Sequence, residues 1–249
     1  APYTVPFELM KEIAEKAKET GLGVQLHWLE TSSEWNISVL EGKMTPEEYL
    51  TDTGMIDVPN LLLAHCVWVG KGSAPFYARD NVTFAHNPKS NLKLGSGIAP
   101  IPDFLNAGVR IALGTDGAAS NNRLDIWDEL RCAALIHKGE AKDPTLMTSV
   151  EVLRMATVNG AKALGFNDTG LIKEGYRADM ILVDLDRPHY VGWDNENLPG
   201  FLVYAGSSSD VKATVVAGKM LYNNGSFTET DKDRVIAEAK TARRKLVGR

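Results

Sequence analysis

Leu61-Leu62-Leu63-Ala64-His65-Cys66-Val67 is an apolar run interrupted by a single imidazole. A run this short with no alternation fits a strand buried on both faces, the pattern of a parallel sheet covered by helices. Its surroundings repeat the theme. Upstream, Leu9, Ile13, Ala14 and Ala17 recur at helical spacing between Pro6 and Thr20, Glu12 and Lys16 stand one turn apart, and Gly21 supplies a stop before a predicted strand at Val24–Leu29. The polar stretch 32–50 reads as an excursion holding a short helix. Downstream come a strand at 82–85, a helix at 101–107 stopped by Gly108, and a strand at 109–113 running into Gly114-Thr115-Asp116. Two longer helices follow, one over 124–136 and one opened by the Thr148-x-x-Glu151 capping box and closed by Gly165. Strands alternating with helices make the fold class α/β with a parallel sheet. Beyond Gly175 the texture changes to strands at 179–183 and 211–216, the second turning at Ala217-Gly218 into 219–222, which reads as a small antiparallel appendage. Residues 231–246 read as a solvated terminal helix.

Composition narrows the function. With 249 residues and 44% hydrophobic content the chain can bury a sizeable core. A formal net charge of -5 argues against nucleic acid or an anionic membrane as partner, because phosphate binding needs clustered positive charge. Small-molecule chemistry fits better. No apolar run is long enough to span a bilayer. Cys66 and Cys132, each in an apolar run, read as buried thiols in a reducing compartment, which makes the cytoplasm the expected location.

In a parallel α/β barrel the active site gathers at the C-terminal ends of the strands, so polar residues there carry functional weight. Four fall at such ends: His27 and Glu30 in L-H-W-L-E-T, His65 in A-H-C, and Asp116 in G-T-D-G. Imidazole nitrogen and carboxylate oxygen suit a divalent ion such as zinc, and His27 and Asp116 are candidate ligands. Glu30 and His65 suit proton handling as the attacked centre becomes tetrahedral. Asp116 equally reads as an Asp-Gly turn, and a single histidine on an apolar strand equally reads as a satisfied core residue. His86 is placed near the site, with a loop-anchoring role beside Asn87 and Ser90 favoured over ligation. His137 and His189 are expected at the surface. Trp28 and Trp68 are read either as pocket walls or as half-buried barrel aromatics.

At these residues the sequence resembles the amidohydrolase superfamily and, within it, the 5'-methylthioadenosine/S-adenosylhomocysteine deaminases. The resemblance runs through A-P-Y-T at 1–4, H-W-L-E-T at 27–31, L-A-H-C-V-W at 63–68 and H-N-P-K-S-N-L-K-L-G-S-G-I-A-P at 86–100. It continues through G-T-D-G-A-A-S-N-N-R-L-D at 114–125, A-T-V-N-G-A-K-A-L-G at 156–165 and R-A-D-M-I-L-V-D at 177–184. The resemblance implies the C-terminal half of a metal-dependent (β/α)8 TIM-type barrel over 1–170, the C-terminal strands of a small β-sandwich over 171–226, and a terminal helix over 227–249. It implies one divalent ion per site, zinc foremost with ferrous iron as the alternative, held by His27 and Asp116. Glu30 would contact and protonate the purine ring nitrogen, His65 would orient the attacking hydroxide, and Asp116 would also shuttle a proton. Glu30, His65 and Asp116 would thus all contact the substrate, a purine nucleoside-type small molecule, and the reaction would release ammonia from the adenine ring.

Departures from the family pattern set further expectations. The family's His-x-His pair, which supplies two more ligands, occurs nowhere among the five histidines, and its substrate-contacting histidine would fall one residue ahead of Ala1. The chain is therefore expected to be one piece of a larger enzyme, completed by an N-terminal half on the same or another chain, with a homo-oligomer as a further possibility. Lys89 stands where the family usually has a small residue, either at the pocket rim or facing solvent. Two competing readings stay open: a sibling amidohydrolase acting on guanine, cytosine or a triazine, and a non-catalytic barrel fragment serving as a structural or binding subunit.

Overall fold

The computed structural model describes residues 1–34 and 44–248. Helix α1 (Phe7–Thr20) ends where Gly21 turns left-handed at φ 70°, and strand β1 (Val24–Trp28) follows. The expected Glu12–Lys16 pair is replaced by Lys16 bonding Glu19 at 3.0 Å. Part of the polar excursion lies outside the described residues; its helix is α2 (Pro46–Asp52), opened by a complete Thr45/Glu48 capping box. Then come β2 (Leu61–His65), α3 (Ala74–Tyr77), β3 (Val82–His86), α4 (Pro88–Leu94), α5 (Ile101–Asn106), β4 (Arg110–Leu113) and α6 (Ala118–Asn121).

Strands β1 to β4 form one parallel sheet in sequence order, in a register that sets His27 beside Ala64, Trp28 beside His65, and His86 beside Leu113. The alternation of side chains sorts the strands into two faces. Leu26, Trp28, Leu61, Leu63, Val82, Phe84 and Ile111 point to the helices and belong to the main core. Each fully buried side chain of the size of Leu63 or Phe84 contributes roughly 1.5–3 kcal/mol. Aromatic edges tighten this layer: Phe84 meets Phe104 and Tyr77 at centroid distances of 5.1 and 5.0 Å. The opposite face carries small residues, and Leu62, Ala64, Ala85 and Ala112 make a separate cluster with Ala163.

Helix α7 (Ile126–Ala141) begins at Asp125, whose side chain accepts from the Trp127 N–H, and it buries Glu129, Leu130, Ala133, Ala134 and His137. The single helix expected over 148–165 is two, α8 (Ser149–Ala156) and α9 (Val158–Ala163). They break at Thr157, whose φ of -118° and ψ of -91° lie outside the helical region. A second sheet of four antiparallel strands follows: β5 (Met180–Val183), β6 (Val211–Val216), β7 (Lys219–Asn223) and β8 (Ser226–Phe227). Helix α10 (Lys232–Val247) buries none of its residues and is the solvated helix expected. Among the described residues no helix is long and apolar enough to cross a membrane.

Candidate active site

The predicted site residues leave the sheet at its C-terminal edge through strained backbone. Leu29, His65, Cys66 and Asp116 all have positive φ, at 47°, 75°, 52° and 58°. For non-glycine residues such angles cost on the order of 1–3 kcal/mol each and persist only where the surroundings impose them. This is also why β2, expected to reach Val67, ends at His65: two successive left-handed residues take the chain out of the sheet and turn the imidazole over its edge.

The result brings three donor groups together. His27, His65 and Asp116 each offer a ligand atom, and those atoms all lie within 4.8 Å of one another. The rings of His27 and His65 are 5.2 Å apart. Glu30 stands beside them, its Oε2 3.8 Å from His65 Nε2, while its Oε1 accepts from the Ser96 hydroxyl at 3.0 Å. His65 Nδ1 pairs with Asn91 Oδ1 at 2.8 Å, which orients the ring so that Nε2 faces Glu30. Asp116 is held hardest: Oδ2 accepts from the Ser90 and Ser120 hydroxyls, both at 2.6 Å, and Oδ1 from the Gly117 N–H at 2.7 Å.

The electrostatics suit a cation. Burial, then the neighbouring His65, lowers the pKa of His27, so it is a neutral lone-pair donor at pH 7. Burial alone raises the Asp116 pKa, but the Ser120 and Ser90 hydroxyls and the Gly117 N–H outweigh it and hold the carboxyl below its ordinary range. Two imidazole nitrogens and one fixed carboxylate are the donor set a divalent ion such as zinc prefers, with a further position open for water. A concavity of about 970 Å³ leads away from His27 and Asp116 along the small-residue face of the sheet.

The structure thus gathers all four predicted residues and adds His65 to the ligand-capable group. Other placements differ from expectation. His86 turns to the helix side and meets His137 at 3.2 Å between Nε2 atoms, instead of anchoring Asn87 and Ser90. His137 is 1% exposed, so it is not a surface residue. His189 is exposed, as expected, and bonds Asp210 at 3.0 Å. Trp28 is buried with its indole N–H on the Tyr77 hydroxyl, whereas Trp68 is exposed and bonds the Ser96 carbonyl at 3.0 Å. Lys89 reaches neither the pocket nor open solvent but pairs with Asp128 at 3.0 Å. Sequence reasoning named Ser90 only as a loop anchor and missed Asn91, Ser96, Ser120 and Glu129; for Ser90 and Asn91 the H-N-P-K-S-N segment carried the signal, since it follows a predicted strand end.

The amidohydrolase family model matches residues 1–221. The chain belongs to the amidohydrolase family. This amidohydrolase chain is 43% identical over 241 residues, 96% of its length, to the 5-methylthioadenosine/S-adenosylhomocysteine deaminase of Dictyoglomus thermophilum. It is equally 43% identical over all 249 residues to the 5'-deoxyadenosine deaminase of Methanosarcina acetivorans. It covers 56% and 57% of those proteins, so it spans just over half the length of its curated relatives. Among solved structures, a zinc-bound adenosine deaminase from Xanthomonas campestris superposes with a TM-score of 0.93 at 33% identity, over 100% of this chain and 56% of the other. A zinc complex of atrazine chlorohydrolase from Arthrobacter aurescens gives 0.85 at 31% identity, over 95% and 52%.

Proposed function

We infer that this chain carries part of the active site of a metal-dependent hydrolytic deaminase acting on adenosine-type compounds, 5'-methylthioadenosine and S-adenosylhomocysteine foremost. The observation that carries the reading is the convergence of His27, His65 and Asp116 within 4.8 Å, with Glu30 against His65. The names of the relatives and the zinc in the structural neighbours support it. His27, Asp116 and, in this geometry, His65 Nε2 are the residues that would hold the ion. A bound divalent ion acidifies water and so makes a nucleophile available near neutral pH.

The remaining chemistry belongs to this chain's own side chains. The net change is addition of water at C6 of the purine and loss of ammonia, which turns the 6-amino ring into the 6-oxo ring. Asp116, ionised and fixed by three hydrogen bonds, takes a proton from the attacking water and returns it to the departing nitrogen. Glu30 gives a proton to the ring nitrogen next to C6 as that carbon becomes tetrahedral and recovers one from the new C6 hydroxyl as the C–N bond breaks, and Ser96 fixes the carboxyl for both transfers. His65, oriented by Asn91, keeps its Nε2 free to complete with His27 and Asp116 the set that would hold the ion.

The four-stranded sheet then serves as one half of a (β/α)8 barrel over 1–170, with β5 to β8 as the sandwich strands over 171–226 and the terminal helix over 227–249. The other barrel half, on the same or another chain, is the expected partner, in keeping with relatives of nearly twice the length. The free thiols Cys66 and Cys132 support a reducing, cytoplasmic setting.

The test is ammonia release, by the full-length protein loaded with one equivalent of zinc, from 5'-methylthioadenosine, S-adenosylhomocysteine, guanine and atrazine. Preference for the two adenosine compounds is expected, with kcat falling roughly 10²–10⁴-fold in Glu30→Gln. Turnover of only guanine or atrazine would move the protein to a sibling activity, and a zinc-free, inactive protein would leave only a structural role.

A further inference from the structure

The two serines that hold Asp116 come from different helices, Ser90 from α4 and Ser120 from α6, which have only seven and four residues. Helices this short do not hold their place by their own hydrogen bonds. A third element ties them together. Glu129, in the first turn of α7, is 0% exposed. Its Oε2 accepts from the backbone N–H of Lys89, the residue before Ser90, at 3.2 Å. Its Oε1 accepts from Asn121 Nδ2, on the residue after Ser120, at 2.6 Å. The same Asn121 amide donates to the carbonyl of Thr115, the residue before Asp116, also at 2.6 Å.

One carboxylate therefore grips the neighbour of each serine and, through Asn121, the peptide leading into Asp116. Nothing about packing asks for a charge at this spot. The ammonium of Lys89 goes to Asp128, so Glu129 is held by the Lys89 backbone amide and the Asn121 side-chain amide. A carboxylate buried this deeply is tolerated only when hydrogen-bonded, and an apolar side chain of similar volume would fill the same space at lower cost.

We propose that Glu129 is a positioning residue for the metal-binding site: it locks Ser90 and Ser120 in place, and through them the Asp116 carboxylate, within reach of His27 and His65. The inference rests on the reading that these three residues hold a divalent ion. Partners of this kind, one contact removed from the metal, fix ligand orientation, and their loss typically costs about 10–100-fold in metal affinity. Glu129→Gln keeps the volume, but the new amide group presents a donor to one of the two N–H groups, so one of the two ties is lost.

The experiment measures zinc dissociation constants by chelator competition, and the visible spectrum of the cobalt(II)-loaded form, on the full-length protein. The proteins compared are the wild type, Glu129→Gln, Asn121→Ala, Asp116→Asn, and each of the first two variants combined with Asp116→Asn. Expected are a zinc affinity about 10–100-fold weaker and an altered cobalt spectrum in Glu129→Gln and in Asn121→Ala. Neither change should weaken binding further once Asp116 is already asparagine, because the clamp acts through that carboxylate. Wild-type affinity and spectrum in both variants would overturn the proposal. So would an equal loss with and without the Asp116 carboxylate, the mark of a merely structural role. If Glu129→Gln does not fold, Asn121→Ala decides alone. If the wild type takes up no zinc, the metal reading itself falls and this inference with it; if the wild type binds zinc and the variants bind it equally well, only the clamp falls.

Discussion

A methyl group has no room at residue 114. A Cβ built on Gly114 would lie 2.4 Å from Asn87 Oδ1, so the buried Asn87 side chain, which stands beside His65 at the wall of the concavity, would have to shift. Gly114→Ala is therefore expected to destabilise the fold by roughly 1–3 kcal/mol through overpacking, and to weaken zinc binding as Asn87 is pushed towards His65. Denaturant melts and zinc titration of the variant check both, and wild-type values in each would refute the argument. The cluster of His27, Glu30, His65 and Asp116 was legible because these residues follow strand ends, where a parallel fold gathers its chemistry. Their supports were not. Ser90 and Asp116 are 26 positions apart and Lys89 and Glu129 are 40 apart, and no local pattern announces a contact across such distances. Glu129 reads in sequence as an ordinary helix charge, and only the fold shows that it faces inward.

Helix phase explains the misplaced histidine. Ending the helix at residue 136 leaves His137 in a polar context, but α7 runs on to Ala141 and its buried stripe of Leu130, Ala133, Ala134 and His137 keeps helical spacing. His137 thereby meets His86 on β3. One proton serves the pair, one Nε2 donating and the other accepting, and protonating the second nitrogen would set two donors face to face. Burial lowers His137 from 6.5 to about 4; burial, then His137, holds His86 well below its ordinary value. Between those limits the unfolded chain binds more protons than the folded one. Stability is thus fully present above pH 6.5 and declines as pH falls towards 4, by on the order of 3 kcal/mol for His137. Carboxylates add their own acid sensitivity, so the decisive quantity is a difference. Denaturation midpoints measured from pH 7 to pH 4.5 are expected to fall less steeply in His137→Leu than in the wild type. Parallel slopes would show that the pair does not titrate as argued. The break at Thr157 lay beyond sequence reading for a related reason, since Thr148 to Gly165 holds one cap at each end and no proline between them.

At the scale of the molecule, the switch from a parallel to an antiparallel sheet was visible in the change of texture near Gly175, but the character of the concave face was not. An apolar run such as Leu61–Val67 announces burial on both sides without saying what covers each. The helix layer covers one side with the main core, while the other side adjoins the concavity that begins at His27 and Asp116. Its far wall includes Leu164, Phe166, Leu171, Ile172, Ile181 and Val216, all large, apolar and exposed. Soluble proteins rarely leave contiguous apolar surface of this kind bare, and where they do it marks a contact surface. The wall is therefore expected to pack against protein, in line with a barrel half supplied from elsewhere. The 249-residue polypeptide on its own should then associate with rising concentration and enhance the fluorescence of an apolar dye, and Ile172→Lys with Ile181→Lys should suppress both. Because neither side chain supports the main core, the double change should leave the far-ultraviolet circular dichroism intact. A polypeptide that stays monomeric and dark to the dye at all concentrations would show that the wall is content in water, and that the concavity is an open cleft rather than a surface awaiting its partner.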